Sequence, residues 1–137
     1  GGGKVEIPDA IEGDVYDLGF VDRQDKYDII AASQLLCQPS KNESFSIVIM
    51  ESWLCGRPAL VHRDCEVTKH FVQDSNGGLY FSNYMEFEGC INYILDHPEE
   101  AKAMGKNGCR YVKEHFDWPV VVKKYQDFFK RVIEKYQ

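Results

Sequence analysis

Pro39-Ser40-Lys41-Asn42-Glu43-Ser44-Phe45-Ser46-Ile47-Val48-Ile49-Met50-Glu51-Ser52-Trp53-Leu54-Cys55-Gly56-Arg57-Pro58 is the stretch on which the reading of this chain turns. Ser46 to Cys55 reads as a helix, with Gly56 as its C-terminal stop and Pro58 just beyond it. From Ile47 to Leu54 only Glu51 and Ser52 are polar, so this helix is expected to be buried almost all round. A carboxylate in the middle of such a helix is costly unless something satisfies it. A pair of ligand hydroxyls would do so, because each carboxylate oxygen can accept one hydrogen bond from a vicinal diol. A buried ion pair with Arg57 or Lys69 would do so equally well. Just ahead of the helix lies Glu43. There the free backbone N–H groups of Ser44, Phe45, Ser46 and Ile47 point outward and suit phosphate or sugar oxygens. Ser40-x-x-Glu43 also fits a capping box, which would make Glu43 purely structural. The residue pattern alone leaves both pairs of readings open.

Outward from this stretch, short apolar runs alternate with helical patterns. Val15-Tyr16-Asp17-Leu18-Gly19-Phe20 reads as a short strand, and Asp22 to Ala32 as a helix with Tyr27, Ile30 and Ala31 at helical spacing. Leu35-Leu36-Cys37 reads as a buried strand closed by Gln38-Pro39-Ser40, and Ala59-Leu60-Val61 as another. Ser75-Asn76-Gly77-Gly78 is a turn before the short strand Leu79-Tyr80-Phe81. From Tyr84 the pattern is helical, with breaks at His97-Pro98 and near Phe116-Asp117-Trp118-Pro119. The opening Gly1-Gly2-Gly3 reads as a loop. This alternation predicts an α/β fold, a Rossmann-like parallel sheet with helices on both faces. Ligands then bind at the carboxyl ends of the strands, in the loops after Phe20, Cys37 and Val61.

The 137 residues suit one α/β domain with a single core. Hydrophobic content of 44% and charged content of 28% are those of a globular protein. No apolar run approaches the roughly 20 residues that a bilayer requires. No basic-then-apolar leader opens the chain, so a cytoplasmic setting is expected. A net charge of −6 without a dense Lys/Arg cluster argues against nucleic acid as a partner. The basic stretch from Lys123 to Lys135 reads as the solvated face of a helix, with contact to an anionic membrane surface as the alternative. Cys37, Cys55, Cys65, Cys90 and Cys109 are odd in number and scattered, which fits free thiols in a reducing compartment. His62, Cys65 and His70 match no zinc spacing, so no metal site is expected. The sequon Asn42-Glu43-Ser44 is too short to carry weight, and Trp53 reads as core.

Glu43 and Glu51, eight residues apart, resemble the E-x7-E motif of the retaining glycosyltransferases of family 4. The framing is similar too: Gly19-Phe20-Val21, Ala31-Ala32-Ser33, Pro39-Ser40, Glu43, Ser44-Phe45-Ser46, Glu51 and Gly56-Arg57-Pro58 follow in the family's order. Gly77-Gly78-Leu79 and Phe116-Asp117-Trp118 extend the likeness over nearly the whole chain. The resemblance implies the C-terminal, donor-binding half of a GT-B enzyme, truncated at its N-terminal edge. Residues 1–137 would form one nucleotide-sugar-binding domain, and residues 118–137 a terminal helix crossing to a missing N-terminal acceptor domain.

The implied partner is a UDP- or GDP-sugar. The implied reaction is transfer with retained configuration, without cofactor or metal, by front-face attack with the leaving diphosphate as base. By position, Glu51 would bind the donor's ribose hydroxyls, and Glu43, in the catalytic place, would contact the transferred sugar. Amides around Ser44, Phe45, Ser46 and Ile47 would meet sugar and diphosphate, and Val21 would lie near the base. Ser44 and Ser46 stand where many members carry glycine, and the second could crowd a close backbone approach. The family's basic pair for the diphosphate precedes the first residue here, so this chain alone is expected not to turn over. Polysaccharide, glycoconjugate or glycolipid synthesis is the implied setting, and peripheral membrane contact in the full enzyme stays open. Tyr125, Phe128 and Phe129 would be a contact surface left without its partner. The competing readings are a nucleotide-sugar epimerase of the same shape and a non-catalytic Rossmann-like interaction module.

Overall fold

The structure, a computed structural model, describes residues 6–136. The glycine run at the start lies outside them. Three parallel strands, β1 (Leu36–Gln38), β2 (Ala59–His62) and β3 (Gly78–Phe81), lie in the order β1-β2-β3. Leu36 pairs with Ala59 across the first ladder, and Ala59 with Gly78 across the second. Parallel neighbours need a crossover. Helices α2 (Ile47–Leu54) and α3 (Glu66–Ser75) supply the two crossovers, while α1 (Arg23–Ala32) precedes the sheet. After β3 come α4 (Tyr84–Asp96), α5 (Pro98–Phe116) and α6 (Trp118–Tyr136). Every residue of β2 is buried. Because successive side chains point to opposite faces, both sides of the sheet are covered at this strand.

The helix ends follow from local chemistry. Asp22 caps α1 by accepting from the Asp25 amide at 2.9 Å. At the end of α2, Gly56 takes φ +73°. Its amide donates to the Trp53 carbonyl, and the Arg57 amide donates to the Ser52 carbonyl, which makes a Schellman stop. Asn83 caps α4, and the Glu86 carboxylate accepts from the Ser82 amide and hydroxyl at 2.8 and 2.7 Å. These bonds hold the Glu86 carboxyl below its usual pKa.

The core joins Ile49, Met50 and Trp53 of α2 to Ala59 and Val61 of β2, Val72 of α3 and Val112 of α5. Phe45, Phe71 and Phe116 pack edge to face beside it, with Phe45 5.3 Å from Phe71 and 5.2 Å from Phe116. Trp53 is fully buried and donates its indole N–H to the Gly77 carbonyl at 2.7 Å. A methyl group on Gly77 or Gly108 would overlap the indole ring, and one on Gly105 would overlap the Gly56 carbonyl.

Three readings change. Residues 15–20 form no strand: Tyr16 is 77% and Phe20 89% exposed, and Gly19 turns back at φ +59° with its amide on the Asp17 carboxylate. A strand exists through its ladder, and no described residue pairs with this segment. Conversely, α3 arises where no run of apolar residues marks it: its signal is Val67, Phe71 and Val72 at helical spacing, followed by the stop at Asn76, which takes φ +50°. Finally, Ser40 and Glu43 build no capping box. Ser40 Oγ donates to the Asn42 carbonyl, and the helix starts only at Ile47.

No described helix is long and apolar enough to cross a membrane. Helix α6 buries none of its residues.

Gly108→Ala should lower stability by about 2–3 kcal/mol, because the added methyl overpacks the Trp53 contact. Gly89→Ala, in α4 with open space around it, should raise stability by about 0.5–1 kcal/mol. Urea denaturation of both variants measures the contrast.

Candidate functional site

The β1–α2 loop begins at Gln38, the last residue of its strand, and runs along the carboxyl edge of the sheet to Ile47. The side chains of Gln38, Lys41 and Phe45 hold it. Gln38 Nε2 donates to Glu43 Oε1 at 3.4 Å and to Ser46 Oγ at 3.3 Å. Lys41 pairs with Asp64 of the β2–α3 loop at 3.3 Å. Phe45 sends its ring into the aromatic cluster, which leaves its backbone as the part available to a ligand. Beneath the loop, burial pushes the Cys65 thiol up. The Thr68 hydroxyl and backbone groups of Thr68, Glu43 and Val67 outweigh this and leave it below its usual pKa.

Ser46 enters the helix in the left-handed region, at φ +65°, and its side chain caps nothing in α2. Such a conformation costs a non-glycine residue about 1–2 kcal/mol. The serine is held in this conformation, and its hydroxyl accepts from Gln38 Nε2. The first amides of α2 have no partner within the helix and mark its positive end. Glu43 is half-buried beside them, while Ser44 and Ile47 are exposed.

Glu51 lies one turn into α2 with 15% of its side chain exposed. Its partner is neither Arg57 nor Lys69, as the sequence reading allowed. Arg57 donates through Nε to the Ala31 carbonyl at 2.9 Å, and Lys69 pairs with Glu66 at 2.7 Å. Instead Lys26 Nζ lies 2.6 Å from Glu51 Oε1, and the Tyr27 hydroxyl donates to the same oxygen at 3.3 Å. Both residues come from α1, some 25 positions earlier, and no local pattern in the sequence signals that pairing. Val21 precedes the Asp22 cap of that helix and is 39% exposed. No hydrogen bond ties it to Glu43 or Glu51.

The structure therefore brings the expected residues into two groups. Glu43 and Ser46 meet through Gln38, and Glu51 meets α1. No group of three metal-ligating side chains occurs among the described residues. His62 is buried, with Nδ1 accepting from the Asp64 amide at 3.1 Å.

The parallel sheet order and its helical crossovers define a Rossmann-like α/β domain. Residues 10–111 match the family described as Glycosyl transferases group 1, and the chain belongs to that family. It is 26% identical over 87% of its length to an uncharacterized glycosyltransferase of Methanocaldococcus jannaschii. It is 25% identical over 98% of its length to a D-inositol 3-phosphate glycosyltransferase of Gordonia bronchialis. A D-rhamnosyltransferase of Pseudomonas aeruginosa is 28% identical over 68% of the chain. The matched parts make up 31%, 31% and 26% of these relatives, so the chain spans under a third of their length.

The strain at Ser46 is open to test. Ser46→Gly should stay within about 1 kcal/mol of the parent, since relief of the left-handed penalty offsets the added chain entropy. Ser46→Val should lose about 1–3 kcal/mol, because a β-branched residue tolerates positive φ least. Thermal melts of the two variants distinguish these outcomes.

Proposed function

We propose that this chain is the donor-binding domain of a retaining glycosyltransferase that moves a sugar from a nucleoside-diphosphate sugar to an acceptor. The observation that carries the reading is the β1–α2 segment. It joins the half-buried Glu43, through Gln38, to Ser46 at the uncapped start of α2, and Glu51 follows one turn into that helix. Oxygen-rich ligands suit such a helix end, and the family membership supplies the reaction class. In this reading the Glu51 carboxylate accepts hydrogen bonds from the ribose diol, and Glu43 contacts the transferred sugar. Amides from Ser44 to Ile47 stabilise sugar and diphosphate oxygens as negative charge builds on the leaving group. Val21, at the entrance to α1, lies toward the base. The donor is a UDP- or GDP-sugar, and the leaving diphosphate takes the acceptor proton, so no cofactor or metal is required.

The acceptor is held by a second domain, and turnover depends on that domain. The candidate surface for that domain is α6, whose Trp118, Tyr125, Phe129 and Tyr136 are 77%, 61%, 55% and 79% exposed. At successive spacings of 7, 4 and 7 residues they share one helical face.

Ligand-observed NMR with UDP- and GDP-sugars provides the test. Saturation transfer should reach ribose and sugar protons of one donor, and Glu51→Ala should weaken binding about 10- to 100-fold, the worth of hydrogen bonds to a charged group. Failure of every donor to bind, both to this chain and to a longer chain carrying the acceptor domain, would remove the transferase reading in favour of a non-catalytic interaction module.

A further inference from the structure

Both hydrogen bonds that the described residues make to the Glu51 carboxylate end on one oxygen. Lys26 Nζ stands 2.6 Å and Tyr27 Oη 3.3 Å from Oε1. The Lys26 ammonium also lies 5.1 Å from the centre of the Tyr27 ring, so it is held by a cation–π contact as well as by the carboxylate. An ionised carboxylate offers about four acceptor positions, two on each oxygen. Lys26 and Tyr27 occupy Oε1, while the positions on Oε2 suffice for the two hydroxyls of a vicinal diol. The lysine and a ribose therefore do not compete for Glu51. Lys26 instead fixes the plane of the carboxylate and keeps a counter-charge beside a group that is 15% exposed.

We propose that Lys26 is a positioning residue for the donor's ribose: it clamps Glu51 through Oε1 and thereby aims Oε2 at the 2′- and 3′-hydroxyls. This rests on the reading of Glu51 as the ribose-binding group. A purely structural Lys26 would tie α1 to α2 and nothing more. The two roles differ in one readout, the preference for a nucleotide over its 2′-deoxy counterpart. That preference reports on the ribose hydroxyl alone and cancels any general effect on the fold.

The experiment measures the affinity of UDP, GDP and their 2′-deoxy counterparts by titration calorimetry, for the parent protein and for Lys26→Met, Lys26→Arg and Glu51→Gln. The parent should prefer the ribonucleotide about tenfold, the worth of one hydrogen bond to a charged group. Lys26→Met should reduce that preference to about twofold or less. Lys26→Arg, which keeps the charge and reach, should restore most of it. Should the methionine variant lose its cooperative melt, Lys26→Gln takes its place, since it keeps a polar chain without the charge. An undiminished preference in either folded variant overturns the proposal. A Glu51→Gln variant with the parent's preference, or absence of binding both to this chain and to the longer chain carrying the acceptor domain, removes the underlying assignment of Glu51 instead.

Discussion

The buried indole of Trp53 is the contact on which the rest of this structure depends. It lies in α2, donates to the Gly77 carbonyl at the start of β3, and faces the backbone of Gly108 in α5. One side chain thus joins the first crossover, the last strand and the long helix after it. Its ring can approach so closely only because the opposing positions have no Cβ. An indole N–H removed from water without an acceptor would cost about 1–3 kcal/mol, so the Gly77 carbonyl fixes the depth of the ring as well as satisfying it. The Schellman turn at Gly56 then ends α2 beside Gly105 and leads directly into the central strand.

That anchoring determines where the candidate site lies. With Ile49, Met50 and Trp53 held in the core, α2 cannot rotate, and Glu51 must project beside α1. The same rigidity places the N-terminus of α2 at the carboxyl edge of the sheet. There Gln38 links Glu43 to Ser46, and the strained serine is held by a helix that cannot relax toward a more comfortable entry. Strain at a loop entering a ligand-binding edge is common where the surrounding packing over-determines the backbone.

Polar groups around the candidate site serve the structure. Glu51 is stabilised by Lys26 and Tyr27 within the chain itself, which answers the cost of putting a carboxylate on a mostly apolar helix. Lys41 and Asp64 join the loop to its neighbour across the edge of the sheet. The apolar face of α6 makes no comparable internal use of its side chains, since none of them is buried.

Much of this was legible in the sequence, for reasons of local chemistry. Apolar runs with stops at Gly56 and Pro58 determined α2 and β2, and the helical spacing of Tyr27, Ile30 and Ala31 determined α1. The ordered series from Gly19 to Pro58 determined the family. Residues 15–20 were misread because a strand is defined by its ladder partner, and alternation alone cannot supply one. Whether Glu43 capped a helix, and what neutralised Glu51, were decided only by tertiary structure. A capping box depends on where the helix begins, and Ser46 set that point by its left-handed backbone. An ion pair depends on which helices lie side by side, and Lys26 reaches Glu51 only because α1 packs along α2, where Arg57 also donates to the Ala31 carbonyl.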